Sequence, residues 1–244
     1  GEARRGGLVG VGDGDHGVAE MPALLRAAAL LCDAYAHSRL IVLGARRSRH
    51  HPMGWVRGDL ETLLDQVTLD ALTFALARQG RALNLAHCNT GRVPDLSSGY
   101  KVYGRQMAEA LFLQSEPCLG SLSAHDYWHY GPETVPVVEA VLSGGVLAEL
   151  QRLTWDGQPA TSFGEFAHIA LYGELLAWVY GRLEIPLEVA AQLYDNHIPN
   201  LNLRTVSQGM ETLAQLREYA LRKLAAQAGL AGALPAAKPS LPFM

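Results

Sequence analysis

The chain has 244 residues, 49% hydrophobic and 18% charged, a globular balance with enough apolar material for a full core. A formal net charge of −4 excludes the global basic field that nucleic-acid binding draws on, so no nucleic-acid partner is expected. Three scattered cysteines, Cys32, Cys88 and Cys118, form no zinc or disulfide pattern and suit a reducing compartment.

A polar, Gly-rich lead, Gly1 to Gly7, runs into the short apolar stretch Leu8-Val9-Gly10-Val11, which reads as a buried strand. It ends in Asp13-Gly14-Asp15-His16-Gly17. Glycines there allow a tight turn and close approach of backbone to a ligand. The two carboxylates are hard oxygen donors of the kind Mg²⁺ or Mn²⁺ takes when substrate phosphates complete the shell. The plainer alternative is a polar turn whose aspartates cap the next helix, the apolar run Ala23 to Leu31. A strand that ends in acids and enters a helix is the layout of a ligand site at the carboxyl edge of an α/β sheet.

A second strand, Arg39 to Arg46, ends in a small-residue turn and the cationic loop Arg46-Arg47-Ser48-Arg49-His50-His51-Pro52. That loop is either a solvated surface segment or a set of guanidinium groups able to neutralise a diphosphate. From Gly58 to Ala77 apolar residues recur at three and four, predicting an amphipathic helix. A loop containing Asn84, Asn89 and Gly91 leads to Val93-Pro94-Asp95-Leu96-Ser97-Ser98-Gly99-Tyr100-Lys101-Val102-Tyr103. Its Pro-Asp turn, Ser-Ser-Gly kink and alternating strand place Asp95, Ser97 and Ser98 on one exposed edge.

A helix over Gln106 to Gln114 is expected next, then an irregular segment from His125 to Glu133. Asp126 and His129 have the spacing of a metal pair on a helix, but Gly131-Pro132 argues for a loop. Thr134 to Ser143 reads as helix and Val146 to Trp155 as strand. Beyond Phe163 the pattern turns helical, over Glu165–Arg182, Pro186–Tyr194 and Arg204–Ala226, with Tyr172, Trp178 and Tyr180 as core or interface residues. The tail from Gly229, rich in Ala, Pro and Gly, reads as loosely draped. No internal repeat, bilayer-length apolar run or signal peptide is evident, so the expected location is cytoplasmic.

In this order the pieces resemble the later half of an inverting family 2 glycosyltransferase with the GT-A fold. The resemblance rests on Asp13-Gly14-Asp15-His16, Glu20-Met21-Pro22-Ala23-Leu24-Leu25 and Ile41-Val42-Leu43-Gly44-Ala45-Arg46. It continues with Asp95-Leu96-Ser97-Ser98-Gly99-Tyr100-Lys101-Val102-Tyr103, Glu133 and Pro159-Ala160-Thr161-Ser162. It implies a mixed, Rossmann-like α/β sheet flanked by helices over residues 1–164, then a helical region over 165–228 and a flexible tail over 229–244. Aligned without a gap, Asp13 takes the second acid of the family's D-x-D and Val11 the first, making Asp13 the first metal ligand and Asp15 the second.

The implied reaction moves a sugar from a nucleotide-sugar donor to an acceptor hydroxyl, with Mg²⁺ or Mn²⁺ stabilising the diphosphate leaving group. Gly14 and His16 would shape the metal turn, with Arg46, Arg47, Arg49, Ser97 and Ser98 on the donor side. Asp95, Asp126 and Glu133 are the candidate general bases, Asp95 serving either as base or as a positioning group. The family's N-terminal nucleotide-binding strands have no counterpart in the sequence. A homo-oligomer, or a companion chain supplying that half, is therefore the expected macromolecular partner. Two alternatives are a non-catalytic scaffold of the same shape and the metal-binding subunit of a dihydroxyacetone kinase. The hexapeptide Gly12 to Gly17 resembles the latter's turn, which sits in an all-helical barrel and follows a helix.

Overall fold

A computed structural model describes residues 7–12, 18–35, 39–50, 54–113, 119–153, 168–230 and 232–237. Asp13, Gly14, Asp15, His16, Cys118 and the Pro159 to Ser162 block lie outside the described residues. The fold is mixed α/β, a four-stranded sheet with flanking helices and a helical C-terminal part. The chain divides into two compact units, 1–48 with 83–118 and 133–161, and 49–82 with 119–132 and 162–244.

The first unit holds the sheet: β1 (Leu8–Val11), β2 (Leu40–Ala45), β3 (Lys101–Gly104) and β4 (Val146–Gln151) in the order β1-β3-β2-β4. β3 runs antiparallel to both neighbours, and β2 pairs in parallel with β4. Lys101 lies between Val11 of β1 and Leu43 of β2, so three strands meet where the first two motifs begin. Helix α1 (Met21–Tyr35) opens with Pro22 in its first turn, where a missing N–H costs nothing. Its Leu24 and Ala28 pack with Leu40, Val42, Tyr100, Val102 and Ala148 into one apolar layer. β2 is buried along its whole length, as its unbroken apolar run requires.

Helix α3 begins at Arg105 rather than Gln106 and passes after Ala108 into a π turn over Glu109–Leu113. The expected loop at 125–133 is instead helix, because α4 runs without a break from Ala124 to Leu142 through both Pro132 and Pro136. Pro132 removes one helix hydrogen bond, and the carbonyl it would have met belongs to Trp128, an exposed residue on the solvent side. The expected strand at 146–155 is shorter at its described end, stopping at Gln151.

The second unit gathers α2 (Gly54–Arg78), the segment 119–132, α5 (His168–Arg182), α6 (Leu187–His197) and α7 (Gly209–Gln227). α2 departs from the expected amphipathic pattern, since Asp59, Glu61, Asp65 and Thr68 are buried along with its leucines. The acids have partners close by in sequence: from the preceding loop Arg49 meets Asp65 at 2.7 Å and the His50 ring meets Asp59 at 2.7 Å, and within α2 Arg57 pairs with Glu61 at 2.9 Å. Trp178, Tyr180 and Tyr172 are core, as expected. Arg217 grips Asp195 through two N–H groups and donates to the Pro235 carbonyl at 3.0 Å, tying the irregular tail segment to α7.

Gly44 is where the sheet tolerates no side chain: a Cβ there would lie 2.9 Å from both Leu24 Cδ1 and Tyr100 Cβ. Gly44→Ala should lower the unfolding free energy by about 1–3 kcal/mol through overpacking. Urea titration measures it, and an unchanged midpoint would contradict this packing.

Candidate functional site

The first unit carries a polar cluster where β2 ends. Asp95 is 2% exposed, and its carboxylate takes three hydrogen bonds from Arg46. The backbone N–H and Nε reach Oδ2 at 2.9 and 2.8 Å, and Nη2 reaches Oδ1 at 2.6 Å. This is the fork geometry that makes guanidinium–carboxylate pairs strong and directional. Ser98 Oγ donates to the Gly44 carbonyl at 2.6 Å, and the Gly44 N–H donates to the Tyr100 carbonyl at 2.9 Å. The Asp95–Tyr103 block and the Gly44–Arg46 turn, far apart in sequence, are thus clamped together.

Asp95, Ser97 and Ser98 are therefore buried, not on the exposed edge expected from the turn signals. The end of β2 supplies partners to Asp95 and Ser98, and a polar group with satisfied hydrogen bonds can be buried. Lys101, also buried, donates through Nζ to the Ser98 carbonyl. Glu149 of β4 accepts from the Asp95 N–H at 3.2 Å and pairs with Arg92 at 3.3 Å, while Arg92 also donates to the Arg46 carbonyl.

The cluster extends toward the acid turn. The Tyr100 ring lies against Gly12, the last described residue before Asp13, where a Cβ would sit 3.1 Å from Cε1. The Arg152 guanidinium covers the same ring at 4.8 Å from its centroid and binds Glu20 at 2.9 Å. Arg152 also donates its backbone N–H to the Ala45 carbonyl at 2.8 Å. Sequence reasoning missed Glu149, Arg152 and Lys101 as members of this site. A lysine inside an apolar strand was the one available signal.

The other candidates fall elsewhere. Arg47 is exposed, and Arg49 belongs to the second unit, where it is paired with Asp65. The structure therefore shows neither a wholly solvated loop nor a free guanidinium set. Asp126 sits in the first turn of α4 with its N–H on Ser123 Oγ at 3.0 Å. Burial pushes its carboxyl upward, but hydrogen bonds with Tyr130, Ser123 and His125, with the His125 charge, outweigh this and set it below its ordinary range. His129 stacks on His125 with ring centroids 3.9 Å apart, and its Nδ1 meets the His125 carbonyl at 2.7 Å. Glu133 lies on α4 seven residues beyond Asp126 and is partly buried. Among the described residues, no group of three or more His, Cys, Asp or Glu side chains could hold a metal ion. Nor is any described helix long and apolar enough to cross a membrane.

No protein-family model, curated protein or solved structure matches the chain.

Arg152→Ala should destabilise the protein by about 3 kcal/mol, because it strips a largely buried carboxylate of its guanidinium. The loss should appear as a lower urea midpoint with unchanged slope, and a wild-type midpoint would contradict the pairing. Burial, and then the Glu149 charge, push the Cys88 thiol up to about 12. Its neutral form is favoured in the fold, so this contribution to stability is full below about pH 8.5, the unfolded value. It is lost as pH rises toward about 12. Folded protein at pH 8 should leave Cys88 unlabelled by iodoacetamide, and unfolding should expose it. Site-resolved mass spectrometry showing native labelling would refute this.

Proposed function

We propose that the chain is a metal-dependent glycosyltransferase of GT-A type that moves a sugar from a nucleotide-sugar to an acceptor hydroxyl. One observation carries this reading: the Asp95-x-x-Ser98-Gly99-Tyr100-Lys101 block is clamped to Gly44–Arg46, with Tyr100 against the residue that precedes the acid turn. Two stretches that the resemblance links only by order in sequence are thereby neighbours in one unit, with Gly12 beside them. The mixed sheet with flanking helices suits a GT-A-like fold.

Asp13 and Asp15 offer the carboxylate oxygens that Mg²⁺ or Mn²⁺ prefers, so this donor set fits such an ion. When bound, the ion would stabilise charge on the departing diphosphate. Arg47, exposed beside the end of β2, supplies a further cation on that side. The acceptor oxygen attacks the anomeric carbon as the bond to the diphosphate oxygen breaks, and the acceptor proton passes to a carboxylate. Asp95, held by three Arg46 hydrogen bonds, is a positioning residue in this reading. The base is then Glu133, which belongs to the same unit as Asp95.

A scaffold of the same shape is favoured by a different observation, the commitment of Arg46 and Arg49 to acids of the chain itself. The kinase alternative does not fit, because residues 8–11 form a sheet strand where that layout requires a helix.

A thermal-shift panel of UDP-, GDP- and ADP-sugars, each with and without Mn²⁺, tests the proposal on this chain and on Asp13→Asn. Ligand at a hundredfold excess over Kd should raise Tm by about 5–10 °C, only with metal and only in the wild-type chain. A panel without any shift, or one indifferent to Asp13→Asn, would overturn the transferase reading and leave the scaffold.

A further inference from the structure

The first turns of α4, in the second unit, carry two exposed histidines, His125 and His129. Residues four apart lie one above the other on a helix face. Here the two imidazoles stack, with ring centroids 3.9 Å apart and planes inclined by 22°. The sequence pairs Asp126 with His129 by metal-ligand spacing. The structure instead brings His125 to His129 and sets Asp126 behind His125.

Each ring commits the same nitrogen to the protein. His129 Nδ1 lies 2.7 Å from the His125 carbonyl oxygen, and His125 Nδ1 lies 3.4 Å from Asp126 Oδ1. A carbonyl and a carboxylate only accept, so Nδ1 carries the proton in both rings. A neutral imidazole protonated there keeps its lone pair on Nε2. Neither Nε2 has a hydrogen-bond partner among the described residues. Asp126 is itself fixed by hydrogen bonds with Tyr130 and Ser123. An imidazole whose N–H is given to a carbonyl or a held carboxylate is the arrangement that stands behind metal-bound histidine, where it sets tautomer and ring orientation. Packing does not require it, since the His125 side chain is 69% exposed.

We propose that the Nε2 atoms of His125 and His129 together chelate one divalent transition-metal ion of the class imidazole prefers, such as Zn²⁺. Two histidines at i and i+4 on one helix face are a known ligand pair for such an ion. No third His, Cys, Asp or Glu joins them among the described residues, so water completes the coordination shell. Nitrogen donors set this site apart from the acid turn, whose carboxylates suit Mg²⁺ or Mn²⁺. The site is independent of the glycosyl-transfer proposal and stands or falls without it.

Isothermal titration calorimetry of the full chain with Zn²⁺, and separately with Mn²⁺, tests it. Zn²⁺ should bind with a Kd of about 1–200 µM, as two of the four ligands of a structural zinc site would supply. His125→Ala and His129→Ala should each weaken Zn²⁺ at least about tenfold and leave the Mn²⁺ titration unchanged. Asp126→Ala should weaken Zn²⁺ about tenfold, because His125 then loses the group that orients it. Both histidines are exposed, so their variants should keep the wild-type Tm to within about 2 °C. Zn²⁺ binding no tighter than about 1 mM would overturn the proposal. So would Zn²⁺ affinity unchanged in any of the three variants, or an equal loss of Mn²⁺ binding in the histidine variants.

Discussion

The fork between Arg46 and Asp95 is the constraint on which the first unit turns. Without it the Asp95–Tyr103 segment would carry a buried carboxylate and two buried serines into the end of a sheet. Burying a lone charge is prohibitive, whereas burying one already bound by three N–H donors is not. The pair also fixes register. With Arg46 held at the end of β2 and Asp95 six residues before β3, Ser98 meets Gly44 and Tyr100 fills the space Gly44 leaves. β3 then enters between β1 and β2, and Gly12, just past β1, comes to lie against Tyr100.

The second unit applies the same rule to a different set of charges. Arg49, His50 and Arg57 turn onto Asp65, Asp59 and Glu61 of α2. A helix that is buried on most sides can keep these acids because each has a hydrogen-bonding partner within reach, an arginine for Glu61 and Asp65 and the His50 ring for Asp59. Removing one partner of such a pair exposes the full desolvation cost of the other. On α7, Lys223 and Tyr219 converge on Glu174 of α5, and Arg217 holds Asp195 of α6. Both units are therefore organised by arginine–acid or lysine–acid pairs between segments distant in sequence.

The strands and the C-terminal helices were legible because apolar runs and three-four spacing have a direct structural meaning. β2 and α5 are examples. But β1, expected to be buried, is an edge strand with Val9, Gly10 and Val11 exposed. Helix 124–132 was illegible because local proline chemistry was outweighed by its setting; Pro132 costs one hydrogen bond whose carbonyl side faces solvent. The burial of Asp95 and the pairing of Arg49 were hidden for another reason. A charged residue in a turn looks solvated until its distant partner is known, and composition holds no record of partners. Arg152 and Glu149, at the end of β4, reach the Asp95 cluster only through the parallel β2–β4 pairing, which spacing along the chain cannot reveal. The acid turn with Asp13 and Asp15, the most informative stretch of the sequence, lies outside the described residues.

The central claim is that Arg46 and Asp95 act as one unit that joins two motif blocks. A double-mutant cycle over Arg46→Ala, Asp95→Ala and the double variant, read by urea unfolding, tests it directly. Each single change should cost about 3 kcal/mol, and the double change should cost little more than either alone, giving a coupling of about 2–3 kcal/mol. Costs that simply add would contradict the account, for the two residues would then stabilise the fold through separate contacts.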